Sequence, residues 1–187
     1  MSSLSIEAAV LIPILPTETP TKQALYESHA VDLGASLLFT VRSQKVEHHK
    51  GQISFPGGMR DATDTDLQHT ALRETHEEVG IDHHQVLILG ELPKVHTASS
   101  QFIVTPFVGM ISSAPGFQID HFVFNQDEID EILLIPIHHV LNSNNMNMEY
   151  YHRPDGTKLH LPVYHFSGHR IWGATAVMLS QFLKVLK

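Results

Sequence analysis

Cysteine is absent from the chain, and its absence removes disulfides, zinc–thiolate centres and thiol nucleophiles together. Such a chain suits a reducing compartment. Basic residues are also few, 12 Lys and Arg against 20 Asp and Glu, for a formal charge of −8 with histidines neutral. Fifteen histidines temper that figure, since an unperturbed imidazole is charged to about a quarter near neutrality. A broad basic surface for nucleic acid is therefore excluded, and an anionic ligand would call for a metal cation. No apolar run approaches the roughly 20 residues that span a bilayer. The opening "MSSLSIEAAVLIPIL" has no basic n-region and carries Glu7, unlike a signal peptide. The closing "VLK" is not the Ser-Lys-Leu peroxisomal address. The expectation is a cytoplasmic protein with neither nucleic acid nor membrane as partner.

What remains is a 187-residue chain, long enough for one domain with a real core. It has no internal repeat, low-complexity tract or evident linker. We read residues 1–187 as a single domain, with about 1–33 as an N-terminal extension. Within that extension "AAVLIPIL" is an early strand or a docked segment, and "PTETPTKQ" is a proline-broken loop. "GASLLFTVRS", Gly34 to Ser43, has the apolar density of a buried strand. Further strands are expected at Gln85 to Leu92, Phe102 to Ile111 and, more weakly, Phe117 to Asn125. "DEIDEILLIPIHHVL" reads as a strand followed by a short helix from Pro136. "MEYYHRPDGTKLHLPVYHF" reads as a hairpin turning at "PDGT", and Ile171 to Leu186 as an amphipathic helix. Strands interspersed with helices and hairpins give an α/β fold with a mixed sheet.

The stretch "FPGGMRDATDTDLQHTALRETHEEVG", Phe55 to Gly80, carries the chemistry. Leu67, Ala71, Leu72, Thr75 and Val79 recur at helical spacing and predict a helix over about 65–79. Thr63, Asp64 and Thr65 are the expected N-caps, and Gly80 the C-terminal stop. Glu74, Glu77 and Glu78 fall three and four residues apart, so their carboxylates share a patch, expected opposite the apolar stripe. Each pair repels by a few tenths of a kcal/mol, and the negative end of the helix dipole adds a comparable penalty. Arg73 offsets part of this by reaching Glu77 on the next turn. A glutamate-rich face taken alone is usually just solvated, and Pro56-Gly57-Gly58 taken alone is usually a tight turn. Together, a glycine elbow whose backbone can approach a ligand and a carboxylate-bearing helix make a hard oxygen site. Such a site suits Mg²⁺ or Mn²⁺ with substrate phosphates.

"RETHEEVGI", Arg73 to Ile81, resembles the second half of the Nudix hydrolase signature at every fixed residue, with Thr75 in the first apolar slot. The first half departs from that signature. Gly58 is followed after five residues by Asp64 rather than glutamate, and eight residues rather than seven separate Asp64 from Arg73. Upstream, "LFTVRSQKVEHHKGQISFPGG" from Leu38 is similar to the motif of the branch that cleaves coenzyme A. Thr40, Arg42, Ser43, Gly51 and Phe55 to Gly58 keep register, while Glu47 stands where the branch has an arginine. A reversed charge there opposes an anionic part of coenzyme A, and Lys45, Lys50, His48 and His49 are candidates to replace the arginine. "TPFVG" and "IWGATA" extend the likeness over most of the chain from about residue 34.

The resemblance implies a Nudix α/β/α sandwich with a catalytic loop-helix, hydrolysing a nucleoside diphosphate joined to another group. The implied substrate is a small nucleotide resembling coenzyme A, cleaved to 3′,5′-ADP and 4′-phosphopantetheine. The implied metal ligands are Glu74 and Glu78, with Glu77 as third ligand or water-mediated partner. Arg73 orients the glutamates, and Arg42, Gly57 and Gly58 are placed to meet substrate. Arg73, Glu74 and Glu77 form the expected catalytic set, while Glu128 and Glu131 are alternatives to Glu77 as general base. The resemblance leaves room for a homodimer. ADP-ribose, a dinucleotide or a nucleotide sugar are rival substrates, and a non-catalytic ligand-binding regulator is the rival of another class. The adjacent pairs His48-His49, His83-His84 and His138-His139 should point apart on regular structure, which disfavours a histidine metal site. Trp172 and Tyr164 could stack on an adenine, although residues so placed are more often core.

Overall fold

The segment "IEAAVLIPIL" forms a ten-residue strand, β1 (Ile6–Leu15), because its small and branched apolar residues suit a strand buried on both faces. In this computed structural model, which describes residues 5–16, 34–45, 51–97, 101–112, 122–153 and 155–186, β1 is the centre of the fold. It runs parallel to β7 (Phe102–Ile111) over nine registered pairs, Ile6 with Phe102 through Ile14 with Met110. On its other edge it pairs antiparallel with two strands. One is β2 (Ser36–Arg42), near Leu15, and the other is the three-residue β4 (Gly57–Met59), near Ala8. The stretch read as an extension thus supplies the middle of the sheet.

β3 (Ile53–Ser54) and β8 (Ile129–Pro136) flank β2, and β5 (Val86–Glu91) and β6 (Val95–His96) pair with β7. One parallel and several antiparallel pairings make the sheet mixed, as expected. Alternation along the strands divides the core in two. Val10, Ile12, Leu37, Phe39 and Ile135 face the C-terminal helix α3 (Gly173–Val185), which contributes Ala176, Leu179 and Phe182. Ala9, Leu11, Leu38 and Ile132 face the helix α1 (Leu67–Val79), through Ala71 and Val79. Each fully buried Leu, Ile or Phe contributes roughly 1.5–3 kcal/mol. The two helical layers are therefore held from opposite sides of one sheet. That is the α/β/α sandwich.

A second, three-stranded antiparallel sheet of β9 (Met146–His152), β10 (Lys158–Phe166) and β11 (His169–Ile171) includes the expected hairpin. Its turn is fastened by Asp155, whose carboxylate accepts from the backbone N–H and hydroxyl of Thr157 at 2.9 and 2.7 Å. The short helix α2 (Ile137–Leu141) follows Pro136. One strand reading needs correction. Residues 122–125 are not a strand, and Phe122 is buried among the side chains under α1; 117–121 lie outside the described residues. Among the described residues no helix is long and apolar enough to cross a membrane.

Candidate active site

Helix α1 begins later than its apolar spacing suggests. Its N-cap is Asp66, whose Oδ1 accepts from the His69 N–H at 2.7 Å, not Thr63, Asp64 or Thr65. Asp64 is taken by another task. Its side chain is fully buried, and its two oxygens accept from Arg73 Nε at 2.9 Å and Nη2 at 3.0 Å. The same carboxylate accepts from the Thr70 hydroxyl at 2.8 Å and the Asp61 N–H at 2.9 Å. The Arg73 fork holds the Asp64 carboxyl well below its ordinary range, as a bidentate ion pair should. Asp64 therefore braces the loop before the helix. The extra residue in that loop leaves Asp64 within reach of Arg73.

Arg73 does more than bind Asp64. Its Nη1 lies 3.0 Å from Glu74 Oε1 and 3.2 Å from Glu77 Oε2, and its Nη2 donates to the Met59 carbonyl at 3.3 Å. One guanidinium thereby ties the loop, β4 and two of the three helix carboxylates together. Gly80 ends the helix at φ +73°, as expected, with its N–H donating to the His76 carbonyl.

The glutamates do not share a solvated patch opposite the apolar stripe. Glu78 is only 4% exposed and belongs to the buried face with Ala71, Thr75 and Val79. Glu74 is largely covered, and Glu77 is exposed. The cause is the glycine elbow, which passes directly over the helix. Phe55 anchors it, fully buried and stacked on Phe39 with ring centroids 4.5 Å apart. Gly57 has φ +152°, and a Cβ there would come within 2.3 Å of the Ala9 carbonyl oxygen. Its N–H donates to Glu78 Oε2 at 3.2 Å. A Cβ on Gly58 would meet the Glu74 carboxyl carbon at 2.5 Å. Both glycines are needed so that backbone and carboxylates can approach this closely.

Burial pushes the Glu78 carboxyl up to about 8, against the opposing pull of the Gly57 N–H. Burial also raises Glu74, with Arg73 working in the other direction. Three further groups act on Glu78: Glu74 and Glu128 disfavour its charged form, and Arg42 favours it. Glu128, exposed on the approach to β8, acts on Glu74 as well. Glu131 lies apart, pairing instead with His169 at 3.7 Å. Of the two alternative bases named from the sequence, Glu128 is the one whose charge acts on these carboxylates.

The upstream motif has mostly internal duties. Thr40 is buried and its Oγ1 lies 3.3 Å from the Ser54 carbonyl oxygen, which accepts its hydrogen. The backbone N–H of buried Ser43 donates to the Glu128 carbonyl at 2.7 Å, tying the end of β2 to Glu128. Gly51, at φ +66°, closes the loop by donating to the Arg42 carbonyl. Arg42 differs, since its Nε is buried without a hydrogen-bond partner among the described side chains. Glu47, Lys50, His48 and His49 lie outside the described residues.

Several sequence readings change here. The rings of His83 and His84 do not point apart; their centroids are 3.8 Å from each other. The 3₁₀ turn His83–Gln85, capped by Asp82, replaces the regular structure that would have separated them. Among the described residues, Asp82, His83 and His84 form the one group of three whose potential ligand atoms lie within 4.8 Å of one another. Glu74, Glu77 and Glu78 do not close to that spacing. Tyr164 is core, 4% exposed, whereas Trp172 is half-buried beside a cavity. Read from the sequence as the end of a weak strand, the segment 122–125 instead reaches the site helix, where the Asn125 N–H donates to the Glu78 carbonyl at 3.2 Å. Such a backbone contact leaves no signal in the residue pattern.

The donor set remains suited to a hard divalent cation. It offers carboxylate oxygens only, one of them on a buried glutamate whose charged form burial disfavours.

Comparison with known proteins bears on the family and the fold. The model of the NUDIX domain matches residues 30–153. The human protein named mitochondrial coenzyme A diphosphatase NUDT8 is 35% identical over 152 residues, 81% of this chain and 63% of its own length. The chain thus spans under two thirds of that relative. A protein from Photorhabdus laumondii, named an uncharacterized Nudix hydrolase NudL, is 34% identical over 97% of this chain and 85% of its own. A MutT/nudix family protein from Enterococcus faecalis superposes with a TM-score of 0.59 at 12% identity, covering 100% of this chain and 64% of that one. Its likeness is one of fold. With the family model spanning most of the sheet and the whole of α1, the chain belongs to the Nudix hydrolase family.

Proposed function

We propose that the chain is a divalent-cation-dependent pyrophosphohydrolase. Its substrate is coenzyme A or acyl-coenzyme A, cleaved to 3′,5′-ADP and (acyl-)4′-phosphopantetheine. The observation that carries this is Glu78, buried beside Glu74 under the Gly57–Gly58 elbow with Arg42 acting on it. A buried carboxylate so placed is costly unless a cation is bound. The choice of substrate rests on the motif from Thr40 to Gly58 and on the name of the human relative.

In this reading Glu74 and Glu78 hold Mg²⁺ or Mn²⁺, and Glu77 completes the set directly or through water. When bound, the cation supplies positive charge against the pyrophosphate oxygens and acidifies water. The chain's own residues do the rest. Arg73 fixes the directions of Glu74 and Glu77 from its anchor on Asp64. The partly exposed Arg42 guanidinium meets a phosphate oxygen. Glu128, exposed and acting on the charge of both Glu74 and Glu78, accepts the proton of the attacking water. Water adds across one P–O bond of the diphosphate, and the two phosphate products separate. We read residues 1–187 as one catalytic domain, since β1 is its central strand.

Mass spectrometry of the products tests the substrate. With Mg²⁺ or Mn²⁺, coenzyme A should yield 3′,5′-ADP and 4′-phosphopantetheine, faster than ADP-ribose or NADH is cleaved. Faster cleavage of ADP-ribose would move the substrate to the rival class. Binding without cleavage across the whole panel would remove the enzymatic reading.

A further inference from the structure

A cavity of about 210 Å³ opens beside the three-stranded sheet, away from the glutamates of α1. Tyr151, Leu161, Val163 and Trp172 give it apolar walls, and Arg170 and Glu149 lie at its edge. We propose that this cavity receives an uncharged, amide-bearing chain end, the pantetheine arm of a coenzyme A-type substrate. The inference rests on the substrate reading above and adds to it the place where the non-reacting arm is held.

Size argues first. Pockets for whole small molecules run to about 300–1,000 Å³, so this one suits a fragment rather than a nucleotide. Charge argues next. Arg170 is already ion-paired to Glu149, so an incoming phosphate would have to displace that carboxylate. The pair instead presents a donor beside an acceptor, which matches the N–H and C=O of an amide. Ring geometry argues against a base. The Arg170 guanidinium sits 5.4 Å from the centroid of Trp172, occupying one face of the indole. Tyr151 approaches at 6.3 Å and 34°, tilted and too near to sandwich a second aromatic ring.

One contact joins the edge of the cavity to the large sheet, beside the strand that carries Arg42. His169, next to Arg170, pairs with Glu131 of β8. Glu131 faces Val41 across the ladder, next to Arg42. A flexible arm leaving a phosphate near Arg42 would follow this line.

Trp172 is the chain's single tryptophan, so its fluorescence reads the cavity alone. Titrating pantetheine, which carries neither nucleotide nor phosphate, should change the emission saturably. Adenosine 3′,5′-bisphosphate should leave it unchanged. No response to pantetheine, or a response to the bisphosphate alone, overturns the assignment. As a second reading, Leu161→Trp fills the cavity. It should raise KM for coenzyme A by about tenfold with kcat kept, in a variant whose circular dichroism matches wild type. An unchanged KM would also overturn the assignment. If wild type does not cleave coenzyme A at all, the substrate reading fails by itself, and the pantetheine titration still decides the cavity.

Discussion

Glu78 carries the largest electrostatic cost at the residue scale, and its consequences can be measured without substrate. Its folded-state pKa of about 8 lies above the ordinary 4.5. Between these values the folded protein holds a proton that the unfolded chain has lost. Stability of the chelator-treated protein should therefore fall as pH rises from 4.5 to about 8. Glu78→Gln, neutral throughout, should flatten that slope, as thermal melts across the interval will show. Asp64 shifts in the other direction: its folded pKa is depressed, so its stabilisation is present above the ordinary 3.8 and lost as pH falls below it. At neutral pH, Asp64→Asn removes the buried charge that faces the Nε and Nη2 of Arg73 and should cost about 3 kcal/mol in urea unfolding. The sequence singled out Asp64, Arg73 and the three glutamates, and the structure ties Arg73 to Asp64, Glu74 and Glu77. The sequence could not show that Glu78 is buried, because burial comes from β4 passing overhead, a contact 21 residues away in the chain.

The glycine elbow and α1 work as one unit at the element scale. Gly58→Ala would push a methyl into the Glu74 carboxyl. Because a side chain can swing aside, the melting temperature should change little while kcat falls by about tenfold or more. Gly57→Ala meets backbone instead, at the Ala9 carbonyl, so its loss should appear in stability first. Comparing kcat and melting temperature for the two variants separates these roles. The long elements were legible. Phe102–Ile111 matches its expected span, and α1 ends at Gly80 as read. Strands β3 and β4, of two and three residues, were not. So short a strand has no period to detect, and its existence depends on partners such as β1. The turn at His83 misled for the opposite reason. The expectation assumed regular structure, and the Asp82 cap made a 3₁₀ turn that brings two rings together.

The fold of the whole molecule depends on a strand that precedes the region matched to the family model. β1 ends at Leu15 and the match begins at residue 30, yet β1 touches β2, β4 and β7. Removing residues 1–16 should therefore leave a chain without cooperative unfolding, as circular dichroism against temperature will show. The composition marked "AAVLIPIL" as apolar without alternation, which suits a strand buried on both faces, but left open whether it was an early strand or a docked segment of an extension. It did not reveal which strands would lie beside it, because register and order are set by pairings distant in the chain. In the proposed function, Glu78 and its neighbours hold the divalent cation on which hydrolysis depends. Electron paramagnetic resonance of Mn²⁺ with wild type and Glu78→Gln, read alongside coenzyme A turnover, tests this most directly. Wild type should bind Mn²⁺ and turn over. The variant should lose tight binding and about a thousandfold in rate, the several kcal/mol of a bound cation at 1.36 kcal/mol per tenfold. A variant that binds Mn²⁺ as wild type does, and cleaves at the same rate, would remove Glu78 from the cation site.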